Sequence, residues 1–202
     1  ATSTTPIFID EAISLHRQLE VLSEDEIVAM MHVSSGLAKR IKQQIKDWTN
    51  LPTSSAAIDM FSGDIYSGLR AASLSHADRM YAQEHLVILS GLYGALRPLD
   101  AVAPYRLEMA YKLNQKRLHD FWGDKIAHHL PPTGLIINVS SREYTRVITP
   151  YVSADRIITP QFLTVNQTTG IPSFTTVHAK IARGAFARWM ITSKTSSRDS
   201  LS

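Results

Sequence analysis

The sequence predicts a single α/β domain, a mixed sheet flanked by helices, and three observations carry that expectation. Two short apolar runs, Leu86-Val87-Ile88-Leu89 and Leu135-Ile136-Ile137-Asn138-Val139, are rich in β-branched and aliphatic residues and end in turn signals, the pattern of interior strands. Around them lie stretches whose apolar residues recur at helical spacing. The 202 residues suffice for one domain with a sizeable core.

In order along the chain, residues 1–6 are polar and predict a frayed start. Leu15, Leu19 and Leu22 mark an amphipathic helix. Ser23 with Glu26 forms a capping box for a second helix bearing Ile27, Met30 and Met31. Ser34 or Ser35 caps a third, in which Leu37, Ile41, Ile45 and Trp48 form one stripe. Its outer face carries Lys39, Lys42 and Lys46, with Arg40 nearby, which reads as a solvated face or a nucleic-acid contact. Thr53 to Ser55 start a short helix over 56–61. The stretch from Ser62 through Gly63 and Gly68 to Arg70 then reads either as an ordinary connection or as a helix–hairpin–helix whose second helix begins at Leu69. In the second case, hairpin amides would face a phosphate. Ser75 and Asp78 form another capping box, leading into the strand at 86–89.

After that strand come Gly91 and Gly94, with Arg97 and Arg106 beyond. Closely spaced glycines beside arginines suit either an anion such as phosphate or a tight connection of no chemical consequence. Residues 105–109 read as a strand, and Lys112, Lys116 and Arg117 as a basic patch. Asp120 caps a helix containing Phe121, Trp122, Ile126 and Leu130, which Pro131-Pro132 ends. The run at 135–139 precedes a short helix over 142–148. Residues 156–165 and 173–178 read as strands paired through 166–170. A last helix begins near Ala179 with Lys180, Arg183 and Arg188 on one arc and Phe186, Trp189 and Met190 on an inner one. The Ser/Thr-rich tail, residues 192–202, reads as disordered.

Composition narrows the chemistry. With no cysteine, disulfides and thiolate metal sites are excluded. The eight histidines include no HExxH, and His128-His129 diverge by about 100° on a helix, so no metal is expected. No nucleophile elbow, Walker A loop or dinucleotide fingerprint occurs, and no catalytic residues or cofactor are assigned. No apolar run is long enough to span a bilayer and no signal peptide is visible, which makes a cytoplasmic protein the default. The net charge of +3 hides an asymmetry. Residues 1–30 hold Asp10, Glu11, Glu20, Glu24, Asp25 and Glu26 against Arg17 alone, so the excess of positive charge lies in the remainder. A basic body favours an anionic partner, nucleic acid first.

Six segments occur in a fixed order: FSGDIYSGL (61–69), HLVILSGLYGALRPLD (85–100), PYRLEM (104–109), FWGD (121–124), INVSSREY (137–144) and ARGAFARW (182–189). In these the chain resembles the bacterial YaaA peroxide-stress family, most densely over residues 88–109. The resemblance implies a cytoplasmic protein that protects cells from hydrogen peroxide and loose iron. It also implies a mixed α/β domain with a basic cleft, a helix–hairpin–helix and double-stranded DNA binding, without an established catalytic activity. Family members open with a strand and an SPAKTLD-like motif and continue past the ARG helix, so the resemblance implies a trimmed form. Where the family has alanine in its IN-x-AS-x-EY motif, Ser140 stands here.

The leading expectation is therefore a DNA-binding stress protein, enzymatic activity being the less favoured reading. Gly63, Gly68, Gly91 and Gly94 would let backbone amides approach the strand, and Arg70, Arg97, Arg106, Lys180, Arg183 and Arg188 would contact phosphates, largely independently of sequence. The alternative is an enzyme acting on a small phosphorylated or carboxylated substrate at the Gly91–Gly94 loop, with Asp64, Tyr105 or Glu108 as reactive groups.

Overall fold

The first helices are specified by their caps and their apolar spacing. The computed structural model describes residues 3–48, 55–165 and 168–194. Helix α1 (Ile9–Glu20) buries Ala12, Leu15, His16 and Leu19. Helix α2 (Glu24–Met31) opens on the predicted capping box: the Ser23 hydroxyl accepts from the Glu26 amide and Glu26 accepts from the Ser23 amide at 2.7 Å. That exchange satisfies two donors a helix start otherwise leaves orphaned. Helix α3 (Ser35–Asp47), capped by Ser34, buries Ala38, Ile41 and Ile45. His16 stacks on Trp48 at 4.3 Å and bonds the Ile45 carbonyl through Nε2 at 2.8 Å, joining α1 to the end of α3.

Strand β1 (Ser55–Ala56) runs into α4 (Ala57–Met60), followed by α5 (Asp64–Leu69), a 3₁₀ turn at Ala71–Ser73 and α6 (His76–His85), which the Ser75–Asp78 capping box starts. Strand β2 (Ile88–Ser90) pairs antiparallel with β3 (Gly94–Leu96), Ile88 opposite Leu96. Strand β4 (Ala101–Val102) pairs with β1, and β5 (Lys112–Leu113) with β6 (Lys116–Arg117). Then come α7 (Leu118–Trp122), α8 (Lys125–His129), β7 (Ile136–Ile137), α9 (Arg142–Thr145), β8 (Ile157–Ile158), β9 (Thr164–Val165), β10 (Pro172–Ser173) and α10 (Thr176–Ser193). Trp122 lies fully buried at the centre. Its Nε1 donates to the Gly91 carbonyl at 3.0 Å, which joins α7 to the β2–β3 turn.

The chain is a mixed α/β structure, but the single mixed sheet expected from the sequence is not what the strands build. Among the described residues they form five two-stranded pairings, of which only β7–β8 is parallel. The 135–139 run is not an interior strand. Leu135 is 42% exposed and only Ile136 and Ile137 pair, because the Asn138 carboxamide accepts from the Ser140 amide and hydroxyl and turns the chain. Residues 105–109 keep a strand's alternation, with Leu107 and Met109 buried, yet form no ladder. Residues 173–178 do not continue a strand either, since α10 already begins at Thr176. The helix expected from Asp120 breaks at Gly123 (φ 49°), and Asp120 lies inside α7. No helix begins at Leu69, the residue expected to open the second helix of a helix–hairpin–helix: Leu69 ends α5 and Arg70 takes a left-handed conformation. Thr53 and Ser54, expected to start a helix, and the tail from 195 lie outside the described residues, and 192–193 continue α10.

Helix α5 has six residues, too few to persist alone, and α10 holds it at very short range. A Cβ on Gly68 would fall 2.0 Å from the Ile181 carbonyl oxygen, and one on Gly184 would fall 1.8 Å from that of Ile65. The helices therefore touch backbone to backbone. Gly184→Ala would ordinarily favour a helix by about 1 kcal/mol through propensity, but here the clash is with a main-chain carbonyl that cannot swing away. We expect a net loss of roughly 1–3 kcal/mol, read as a lower urea midpoint. In the control Gly36→Ala, nothing lies within 4 Å of the new methyl, and stability should hold or rise.

Candidate nucleic-acid interface

Helix α5 is set by its two ends. Gly63 precedes it at φ 115°, ψ 178°, a conformation open essentially to glycine alone. At the other end Arg70, at φ 50°, ψ 50°, donates its amide to the Tyr66 carbonyl at 3.0 Å. The carbonyls left over there are taken by α10. The Arg188 guanidinium donates to the carbonyls of Leu69 at 3.3 Å, Arg70 at 3.1 Å and Ser73 at 3.5 Å. A cation at a helix C-terminus also complements its dipole. At the opposite end, Lys180 Nζ lies 3.9 Å from an Asp64 carboxylate oxygen.

The predicted cations thus separate by role. Arg188 is a latch. Lys180 is exposed and only loosely paired. Arg70 is exposed and Arg183 half-buried, and neither forms an ion pair among the described residues. Lys180 lies at the start of α5 and Arg70 and Arg188 at its end, with Arg183 on α10 next to Gly184 of the crossing. Arg106 is elsewhere, 3.3 Å from Glu108 in an exposed pair of little energetic worth. Arg97 donates its amide to Asp100 at 2.7 Å and lines a separate depression with Thr4, Gln83 and His129. In the α3 row, Lys42 donates to the carbonyls of Glu20 and Leu22 at 2.7 and 2.5 Å and so closes the end of α1.

The glycines divide in the same way. Gly68 serves the helix crossing. Gly91 and Gly94 are buried in the β2–β3 hairpin, where a Cβ on Gly91 would lie 2.1 Å from the Leu107 carbonyl oxygen and one on Gly94 (φ 69°) would lie 2.6 Å from the Trp122 ring. Their close approaches are to the protein's own backbone and indole. An open phosphate cradle at this loop, and the small-substrate site placed there as the alternative, lose the geometry they require.

Sequence reasoning missed a tyrosine cluster on which four of the six segments converge. The Ser90 hydroxyl meets the Tyr105 hydroxyl at 2.6 Å. Tyr93 accepts from Trp48 Nε1 at 3.1 Å and from the Ala103 amide at 3.2 Å, and its ring meets Tyr105 edge to face at 5.4 Å. Tyr66 and Tyr144 face Tyr105 closely enough that ionising one would penalise the others. Glu143 accepts from the Ala110 amide at 2.9 Å and so ties the segment 137–144 to the residue that follows 104–109. Burial raises the phenols of Tyr66 and Tyr105 well above their ordinary range, and pushes Tyr144 up to about 12 by burial, then by the charges of Glu143 and Glu108. The cluster is neutral at physiological pH and presents hydroxyl donors. The available signal was one tyrosine in each of these segments.

Among the described residues no group of three His, Asp or Glu side chains is placed to share a metal, and no helix is long and apolar enough to cross a membrane.

The raised tyrosine values have a consequence for stability. Between pH 10 and about 12 the unfolded chain loses phenolic protons that the fold retains, so unfolding is favoured as pH rises. The tyrosine contribution should be level below pH 10 and fall through that window, and Tyr144→Phe should flatten the fall in urea midpoints measured there against pH.

The peroxide stress protein YaaA family model matches residues 1–202. A UPF0246 protein of Salinispora tropica is 50% identical over 198 residues, covering 96% of this chain and 75% of the relative. UPF0246 proteins of Burkholderia mallei and Burkholderia pseudomallei are each 38% identical, covering 98% of this chain and 81% of the relative.

Proposed function

Because the chain belongs to the YaaA peroxide-stress family, and because Arg70, Lys180 and Arg183 are carried by the two helices that cross, α5 and α10, we propose that it binds double-stranded DNA in the cytoplasm through phosphate contacts. Occupying the duplex in this way would limit oxidative and iron-mediated damage. The observation that carries the reading is the state of these cations: Arg188 is consumed by backbone carbonyls, while Arg70 and Arg183 are left without ion-pair partners among the described residues beside it. Charge held on a rigid helix pair and left uncompensated is what a polyanion selects. Contacts of this kind fix a protein on DNA without reading sequence.

Each phosphate neutralised adds about 0.9 to the slope of log affinity against log salt for duplex DNA. Replacing Arg70, Lys180 and Arg183 by alanine should therefore flatten that slope by up to roughly 3 units and weaken binding to unrelated sequences alike. Fluorescence anisotropy across a salt series reads both. Arg188→Ala should instead lower the melting temperature, because it removes the guanidinium donor of the Leu69 and Ser73 carbonyls and one of the three donors of the Arg70 carbonyl. An unchanged slope in a folded triple variant would remove this corner from the DNA site.

A further inference from the structure

Beside the crossing lies a depression of about 370 Å³ between the α4–α5 turn and the 3₁₀ turn that follows Arg70. That volume is within the range of small-ligand sites. Ile58, Phe61, Tyr66, Arg70, Ala72 and Ser73 line it. The Phe61 and Tyr66 rings lie 5.5 Å apart and 24° from parallel, and Phe61 is steadied by an edge contact with Tyr105 at 6.0 Å. The floor at Ile58 is buried and apolar. Asp59 is the one acid of the lining, and Arg79 neutralises it with two bonds of 2.7 and 2.6 Å. No uncompensated negative charge therefore faces an incoming anion. Arg70 stands exposed at the rim in a left-handed conformation that a residue with a side chain adopts at a cost. That cost is borne where Arg70 meets the mouth of the depression.

An aromatic wall, an apolar floor and a cation at the rim fit a planar, uncharged ring attached to an anionic chain. We propose that this depression takes one unpaired nucleobase of the bound DNA, stacked on Phe61, which Tyr66 backs from its other side, with its phosphate held by Arg70. The inference rests on the DNA-binding reading above. Every base offers a π-face, so the site is tolerant of base identity. A paired base must first leave its stack, at a cost smallest for one already unpaired, so the site discriminates bulged or mismatched duplex from intact duplex.

The test uses two duplexes of equal length, one fully paired and one with a single unpaired 2-aminopurine, with affinity read by anisotropy and stacking by 2-aminopurine fluorescence. The expected result is binding of the bulged duplex on the order of tenfold tighter, the scale of one base–aromatic stack, with quenching of the probe. Phe61→Leu keeps an apolar side chain of similar bulk and removes the ring. It should abolish the preference and the quenching while binding the paired duplex as before. Equal affinity for both duplexes with an unquenched probe in the unaltered protein would overturn the pocket and leave duplex binding standing. Full quenching retained in folded Phe61→Leu would also overturn it. Reversal of the quenching by a free mononucleotide at the same concentration would reassign the depression to mononucleotides and overturn its role in DNA. Failure to bind either duplex would remove the DNA-binding reading and this inference together.

Discussion

The contact on which the functional surface depends is between two backbones. Gly68 and Gly184 each leave room for the other helix's main chain, so α5 and α10 approach more closely than any side chain allows. Helix α5 is a turn and a half long and has no independent stability. What keeps it helical is the crossing, together with Arg188 on the carbonyls at its end. The left-handed Arg70, the aromatic wall at Tyr66 and the placement of Lys180 all follow from that one approach. Little of α10 is buried otherwise: Ala179, Gly184 and Ile191 face inward. Of the two rings expected to anchor it, Phe186 is half-buried and meets Phe162 edge to face at 5.7 Å, while Trp189 packs on Phe186 at 5.6 Å and is 42% exposed.

Positive charge in this protein does two kinds of work, and only its surroundings tell them apart. Lys42 and Arg188 donate to orphaned helix carbonyls and are structural. Arg79 neutralises Asp59. Arg70 and Arg183 have no such assignment among the described residues, and a net charge cannot distinguish the two groups. The tyrosine cluster beside them adds no charge. Its phenols are kept protonated by burial and by one another, so it supplies hydroxyl donors and ring faces near the cationic corner.

The family membership read from six short segments is matched over the whole chain, because such segments are specified by residue identity alone. What the sequence alone determined was local. The capping boxes at Ser23 and Ser75, the stripe through Ile41 and Ile45, and the turn after Ile88 depend on residues a few positions apart, whose geometry the chain fixes by itself. What the tertiary structure decided was everything that depends on a distant partner. It resolved the strands into five pairs among the described residues, because pairing needs a second strand that a short apolar run does not name. It turned Gly91 and Gly94 inward, because whether a glycine admits a ligand or a neighbouring backbone is settled by what arrives there, here Leu107 and Trp122. It separated Arg188 from Arg183, five residues away on the same helix, because only the first reaches the carbonyls where α5 ends.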